Sequence, residues 1–257
     1  FGMFIGNIVF LSSVVFPLYS FWRWITGKKN DQLLYLRIME RVNRSLLISN
    51  PLGNARFFGF PPRDQIRGCV AVVNHTNSVD IPMYNALPFD KVTLVKQWFW
   101  KIPFIKSLLK NAGYMALSPV QEIGEANEWF EDYRKLLVDE KINVLFFPEG
   151  TRTQSLKMGR FHLGAFRLAC SAEAPVFPIC FYNTRWTISR GRLIAREYLF
   201  IASALPLITP QNFDYSAGPR ALARHSKKIL EDEYERLAQL HVCEGSQIRL
   251  VRDCYAY

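Results

Sequence analysis

At 257 residues the chain has room for one large α/β domain and not for two full ones. Hydrophobic residues make up 49% and charged residues 21%, a globular composition that 20 Phe, 11 Tyr and 6 Trp tilt toward membrane contact. The formal net charge of +10 asks for an anionic partner. The basic residues are dispersed and no nucleic-acid-binding motif appears, so the expected partner is a membrane surface with anionic lipids and not nucleic acid.

In chain order, Phe1 to Trp22 carry no charge, and about 20 apolar residues suffice to cross a bilayer. Gly6, Asn7, Ser12, Ser13 and Pro17 interrupt the run, so a spanning helix and a re-entrant one are both compatible with it. No basic n-region precedes it and no small-residue cleavage site ends it, which argues against a signal peptide. From Arg23 to Arg56 seven basic residues stand against two acidic ones, which predicts a cytoplasmic flank, with Trp22 and Trp24 at headgroup level. Residues 31–48 have the periodicity of an amphipathic helix, with Leu33, Leu36, Met39, Leu46 and Leu47 near one stripe. Two readings of that helix stay open: it lies on the membrane, or it packs on the domain. The division expected is 1–50 for membrane-anchoring helices and 51–257 for the catalytic domain.

The Gly- and Pro-rich stretch Pro51 to Arg67 reads as a linker. Beyond it, strands are predicted at Val70–Val73, Val92–Val95, Tyr114–Leu117, Val144–Phe147, Val176–Phe181 and about Leu193–Ser203. Helices are predicted at 79–87, 103–112, 121–140, 159–172 and 219–240, the last as a polar, peripheral one. This alternation predicts an α/β fold, a single domain with a largely parallel central sheet flanked by helices, preceded by an N-terminal membrane-embedded helical segment. The five cysteines, Cys69, Cys170, Cys180, Cys243 and Cys254, show no CxxC spacing. They read as reduced thiols, with Cys69 and Cys180 in the core and no zinc site.

Two short motifs carry the chemistry. In NHTNSVD, His75 follows an apolar strand and Asp80 opens the next helical pattern. The carboxyl ends of strands are where sites collect in open α/β sheets. A near-neutral imidazole can take a proton from a hydroxyl, and an aspartate on its other nitrogen fixes the tautomer and stabilises the imidazolium. Five residues apart, the pair must bridge a strand-to-helix turn, for which Thr76, Asn77 and Ser78 are suited. The plainer alternative is a capping loop with a structural histidine. In FFPEGTRT, a buried strand ends at Pro148, and Gly150 permits a tight turn with close backbone approach. Arg152 offers a fork of donors suited to a phosphate, and Glu149 can orient Arg152 or the turn. Alone, this turn could equally be a strand end with a surface ion pair.

Taken together, these motifs resemble the PlsC-like glycerolipid acyltransferases in four ordered blocks over about residues 50–205. His75 and Asp80 match the family's histidine, four residues, aspartate motif. VKQWFWKIPFIKSLLKNAG at Val95–Gly113 matches the second block, with Lys96, Pro103 and Gly113 in place. FPEGTRT with FHLGAF matches the third, and APVFPI at Ala174–Ile179 the fourth. The resemblance implies that His75, oriented by Asp80, is the general base on the free hydroxyl of a lysophospholipid. The acceptor it implies first is 1-acylglycerol-3-phosphate, and the donor is acyl-CoA or acyl carrier protein. It also implies that Arg152 and Lys96 hold the acceptor phosphate, that Glu149, Gly150 and Thr151 belong to that phosphate site, and that Pro175 and Pro178 wall the acyl and acceptor pocket. No metal and no cofactor are implied. The enzyme would be membrane-associated, its catalytic domain facing the cytoplasm.

Two departures bear on the acceptor. Ser118 and Pro119 stand where many members carry an Asp-Arg pair, and His162 stands where a lysine is common. Arg160, Lys157, Lys101 or Arg185 would have to compensate; otherwise the acceptor is another lysophospholipid or a lyso-aminolipid. A serine hydrolase is disfavoured, since no G-x-S-x-G elbow occurs. A non-catalytic membrane-bound lipid or acyl-carrier binding protein is the remaining rival.

Overall fold

The computed structural model describes residues 21, 25, 32–48, 53–75, 80–102, 106, 109–117, 128–151, 158–183 and 198–243. Within them, seven strands form one sheet: β1 (Gly53–Phe58), β2 (Val70–Val73), β3 (Lys91–Lys96), β4 (Met115–Leu117), β5 (Asn143–Phe146), β6 (Val176–Asn183) and β7 (Tyr198–Ala204). The order across the sheet is β1-β7-β6-β2-β5-β3-β4. Every neighbouring pair is parallel except β6 with β7. The helices are α1 (Gln32–Ile48), α2 (Asp80–Ala86), α3 (Glu128–Val138), α4 (Gly164–Ala172) and α5 (Pro219–Cys243). The single α/β domain and mostly parallel sheet are thus as expected.

The centre of the sheet follows from composition. β2 (Val-Ala-Val-Val) has all four residues at 0% exposure, and Val144, Leu145, Val176, Ile179 and Cys180 beside it are equally buried. A parallel strand covered on both faces has to be apolar throughout, and these are. Cys69 and Cys180 lie in this core, and burial pushes the Cys69 thiol up to about 11, which leaves it protonated and inert.

Three elements differ from the sequence reading. The stretch read as a linker contains β1, which pairs with β7 from Gly53↔Tyr198 to Phe58↔Ser203. Gly, Asn and Ala are poor strand formers, and the edge of a sheet supplies the pairing that local propensity does not. Helix α4 starts at Gly164 and not near residue 159. The N–H groups ahead of it bond elsewhere, Gly159 to the Glu149 carboxylate and His162 to the Pro148 carbonyl. Helix α5 is not peripheral: Leu222, Ser226, Leu230, Glu233 and Leu237 form a buried stripe at three- and four-residue spacing, and the helix packs on β6. Its buried Glu233 accepts from the Ser203 hydroxyl at 2.6 Å and pairs with Arg236.

Helix α1 docks on α2 and β1, burying Tyr35, Leu36, Met39 and Leu47. Arg63 pairs with Glu40 and Asp90, both at 2.5 Å, and Arg37 pairs with Asp90 at 3.0 Å. No helix among the described residues is long and apolar enough to cross a membrane. The expected anchor, Phe1 to Trp22, lies outside the described residues except for Phe21. The predicted helix at 103–112 falls partly outside them too, as does the first part of the one at 121–140.

Under α2, the ammonium of Lys91 is buried, donating to the carbonyls of Leu87 (3.0 Å) and Phe89 (3.2 Å). Burial pushes its pKa down from 10.5 to about 7, with Glu40 and Asp90 acting upward and Arg63 downward. Below about pH 7 the folded protein therefore bears a buried cation. Between there and 10.5 the native state is neutral while the unfolded chain still binds the proton, so this residue's contribution to stability rises with pH. A Lys91→Met variant is expected to gain melting temperature over the parent more at about pH 6 than at about pH 9.5. An equal difference at the two values would contradict it.

Candidate active site

Strand β2 lies between β6 and β5, so its carboxyl end opens at the middle of the sheet edge. Its pairing stops at Val72↔Phe146 on one side and Val73↔Ile179 on the other. The next residue, Asn74, is fully buried and uses its side-chain amide as a stand-in for a peptide group. It donates to the Phe181 carbonyl at 2.8 Å and accepts from the Phe181 N–H at 2.7 Å. His75 follows, its N–H donating to Glu149 Oε1 at 2.9 Å.

The imidazole Nδ1 of His75 lies 2.8 Å from Asp80 Oδ2, the histidine side chain 17% exposed and the aspartate 0%. Asp80 is the first residue of α2, where the helix dipole favours a carboxylate. A proton on Nδ1 donated to Asp80 leaves Nε2 as the basic nitrogen. The ring of Phe147 packs against the imidazole with centroids 4.6 Å apart, which limits its tilt. Tyr84, from the middle of α2, touches the same Phe147 ring and donates its hydroxyl proton to the Tyr114 oxygen at 2.9 Å.

The second motif sits at the end of the adjacent β5. Glu149 is 4% exposed, and its two oxygens accept the N–H groups of His75 (2.9 Å) and Gly159 (2.8 Å). Gly150 has φ +65°, and a Cβ there would meet the His162 ring at 3.1–3.2 Å. A Gly150→Ala variant therefore combines left-handed strain with a crowded ring, and is expected to lose about 1–2 kcal/mol of stability. Denaturant melts check this, and an unchanged midpoint would count against the geometry.

The structure thus gathers His75, Asp80, Glu149 and Gly150 at one edge, with Thr151 exposed beside them. Lys96 ends β3, two strands away from β2, and its backbone is paired with Leu117. Arg152 lies outside the described residues. Pro178 is buried inside the sheet in register with Val72. Pro175 accepts from the Val70 N–H at 2.8 Å, which puts it at the opposite end of β2 from His75. Asn74 and Phe147 were not singled out from the sequence. The Asn directly after an all-apolar strand was the available signal, since its side chain competes well for backbone partners.

A buried carboxylate orienting a partly accessible imidazole, at the carboxyl end of a central parallel strand, is an arrangement able to take a proton from a hydroxyl. Comparison with known proteins says which kind of enzyme carries it. The family model described as Acyltransferase matches residues 61–182, a span holding both motifs. The 1-acyl-sn-glycerol-3-phosphate acyltransferase of Escherichia coli (strain K12) is 28% identical over 172 residues, covering 65% of this chain and 67% of its own length. The human 1-acyl-sn-glycerol-3-phosphate acyltransferase alpha is 27% identical over 175 residues, 68% of this chain and 59% of its own. The crystal structure of the 1-acyl-sn-glycerophosphate (LPA) acyltransferase PlsC from Thermotoga maritima superposes with a TM-score of 0.68, covering 90% of this chain and 93% of that one; at 18% identity it speaks for the fold. The matched span and the named relatives point to the PlsC-like glycerolipid acyltransferases, the fold agrees, and the chain is an O-acyltransferase.

Proposed function

We propose that this enzyme acylates 1-acylglycerol-3-phosphate to phosphatidic acid, a step of phospholipid biosynthesis, taking the acyl group from acyl-CoA or acyl carrier protein. The observation that carries the reading is the 2.8 Å contact between His75 Nδ1 and Asp80 Oδ2 at the open edge of the sheet. The names of the bacterial and mammalian relatives support the acceptor.

His75 Nε2 takes the proton of the free glycerol hydroxyl as its oxygen attacks the thioester carbonyl carbon. The tetrahedral intermediate collapses with cleavage of the C–S bond. The leaving sulfur receives the proton from the imidazolium, so the products are an ester and a free thiol. Asp80 stabilises the charged imidazole between the two transfers. Arg152 and Lys96 hold the acceptor phosphate, with the Gly150 turn beside it. The uncharged Phe1–Trp22 segment anchors the enzyme, and the domain on which α1 packs carries out the chemistry on the cytoplasmic side of the membrane.

The test is acyl transfer from labelled acyl-CoA or acyl carrier protein, in nanodiscs, to a panel of lysolipids. Transfer to lysophosphatidic acid is expected. Transfer only to another lysolipid would move the acceptor and point to Ser118, Pro119 and His162 as the cause, and none with either donor would reject catalysis in favour of a binding protein. An Arg152→Ala variant is expected to raise the acceptor KM by about 10- to 100-fold, the worth of one charge-assisted pair, with a smaller effect on kcat. Steady-state kinetics in acceptor concentration check this.

A further inference from the structure

The carboxylate of Glu149 does a different job from the phosphate contact its motif suggests. Two anions repel, so a buried glutamate is a poor direct neighbour for a phosphate. Each of its oxygens accepts a backbone amide. The β2–β5 ladder ends at Val72↔Phe146, three residues before His75, so the strand gives the His75 N–H no partner from β5. A buried amide left without an acceptor is costly, and the strand end would then be free to shift. Glu149 Oε1 supplies that acceptor at 2.9 Å, and Oε2 takes the Gly159 N–H at 2.8 Å. Meanwhile the His162 N–H returns to the Pro148 carbonyl at 2.7 Å, closing the same turn from its other side. On the opposite flank, Asn74 holds Phe181. His75 is therefore carried on a backbone gripped from both neighbouring strands by side chains.

We infer that Glu149 is a positioning residue, whose two backbone hydrogen bonds fix the chain at His75 and so aim the imidazole at the acceptor hydroxyl. The inference rests on the reading of His75 as the general base. Charge-assisted bonds to amides are short and strong, and a shift of about 1 Å in a reacting group can cost on the order of 100-fold in rate.

Glu149→Gln keeps the shape and can accept from only one of the two amides, because its NH₂ cannot accept. In nanodiscs, well below the melting temperatures of both proteins, kcat is expected to fall about 30- to 100-fold with acceptor and donor KM unchanged within about twofold. A raised acceptor KM with kcat retained would make Glu149 a binding residue and overturn the proposal, as would unaltered kinetics. Hydrogen exchange gives a readout independent of turnover: the His75 amide is expected to exchange at least about 10-fold faster in the variant, while the Val70–Val73 amides keep their protection. Unchanged exchange at His75 overturns the hold itself. If the parent enzyme acylates no lysolipid, the proposed function fails, and the exchange result still decides the role of Glu149. Should Glu149→Gln not fold, Glu149→Asp, which retains the charge but reaches one amide, is read in the same two assays.

Discussion

A His75→Ala variant is expected to lose acyl transfer by about 10³-fold or more while keeping its fold. Positioned general bases contribute about 10²–10⁴ in rate, and no other histidine stands beside a carboxylate at this edge among the described residues. His75 lies beyond the last paired residue of β2, so the sheet stays intact, but its ring is 17% exposed, packs on Phe147 and partners the buried Asp80. Deleting it is expected to cost about 1–3 kcal/mol of stability. Parallel melting curves and radiolabelled transfer assays separate the two effects, and near-normal turnover in the variant would sink the mechanism.

An Asp80→Asn variant is expected to fall almost as far, by about 10³- to 10⁴-fold in kcat, for a different reason. The amide is nearly isosteric with the carboxylate 2.8 Å from Nδ1, but it can offer an N–H where an acceptor is needed. The imidazole then turns its basic nitrogen inward, and the imidazolium loses its counter-charge. Melting temperature should hold or rise, because the variant no longer keeps a carboxylate at 0% exposure. The double variant with His75→Ala should be no slower than His75→Ala alone, since the two act as one unit. A kcat loss under about 10-fold would show that Asp80 does not control the tautomer.

Much of this was legible before any coordinates. β2 and β5 read as strands because a doubly covered parallel strand must be apolar throughout, and Val70–Val73 and Val144–Leu145 are. His75 and Asp80 were legible as a pair because the chemistry restricts the residue types and the turn between them restricts the spacing. What stayed hidden depends on partners distant in the chain. Glu149 bonds an amide 74 residues away, which no local pattern encodes. β1 is a strand because β7 lies beside it, and its Gly-Asn-Ala-Arg start announces nothing. α5 looked peripheral because Ser226 and Glu233 interrupt its leucine stripe, and only the Ser203 hydroxyl explains a buried glutamate there.

The pairing of β1 with β7 also sets an order of events during synthesis. Gly53 meets Tyr198, so 145 residues separate the partners. An edge strand cannot pair until its neighbour has been made, and contacts of such long range form late. The chain from α1 through β1 is therefore completed well before the strand that receives it. Sheet closure on that flank awaits the synthesis of β7, and until then Phe57 and Phe58, packed against the core in the finished fold, have no β7 to pair with.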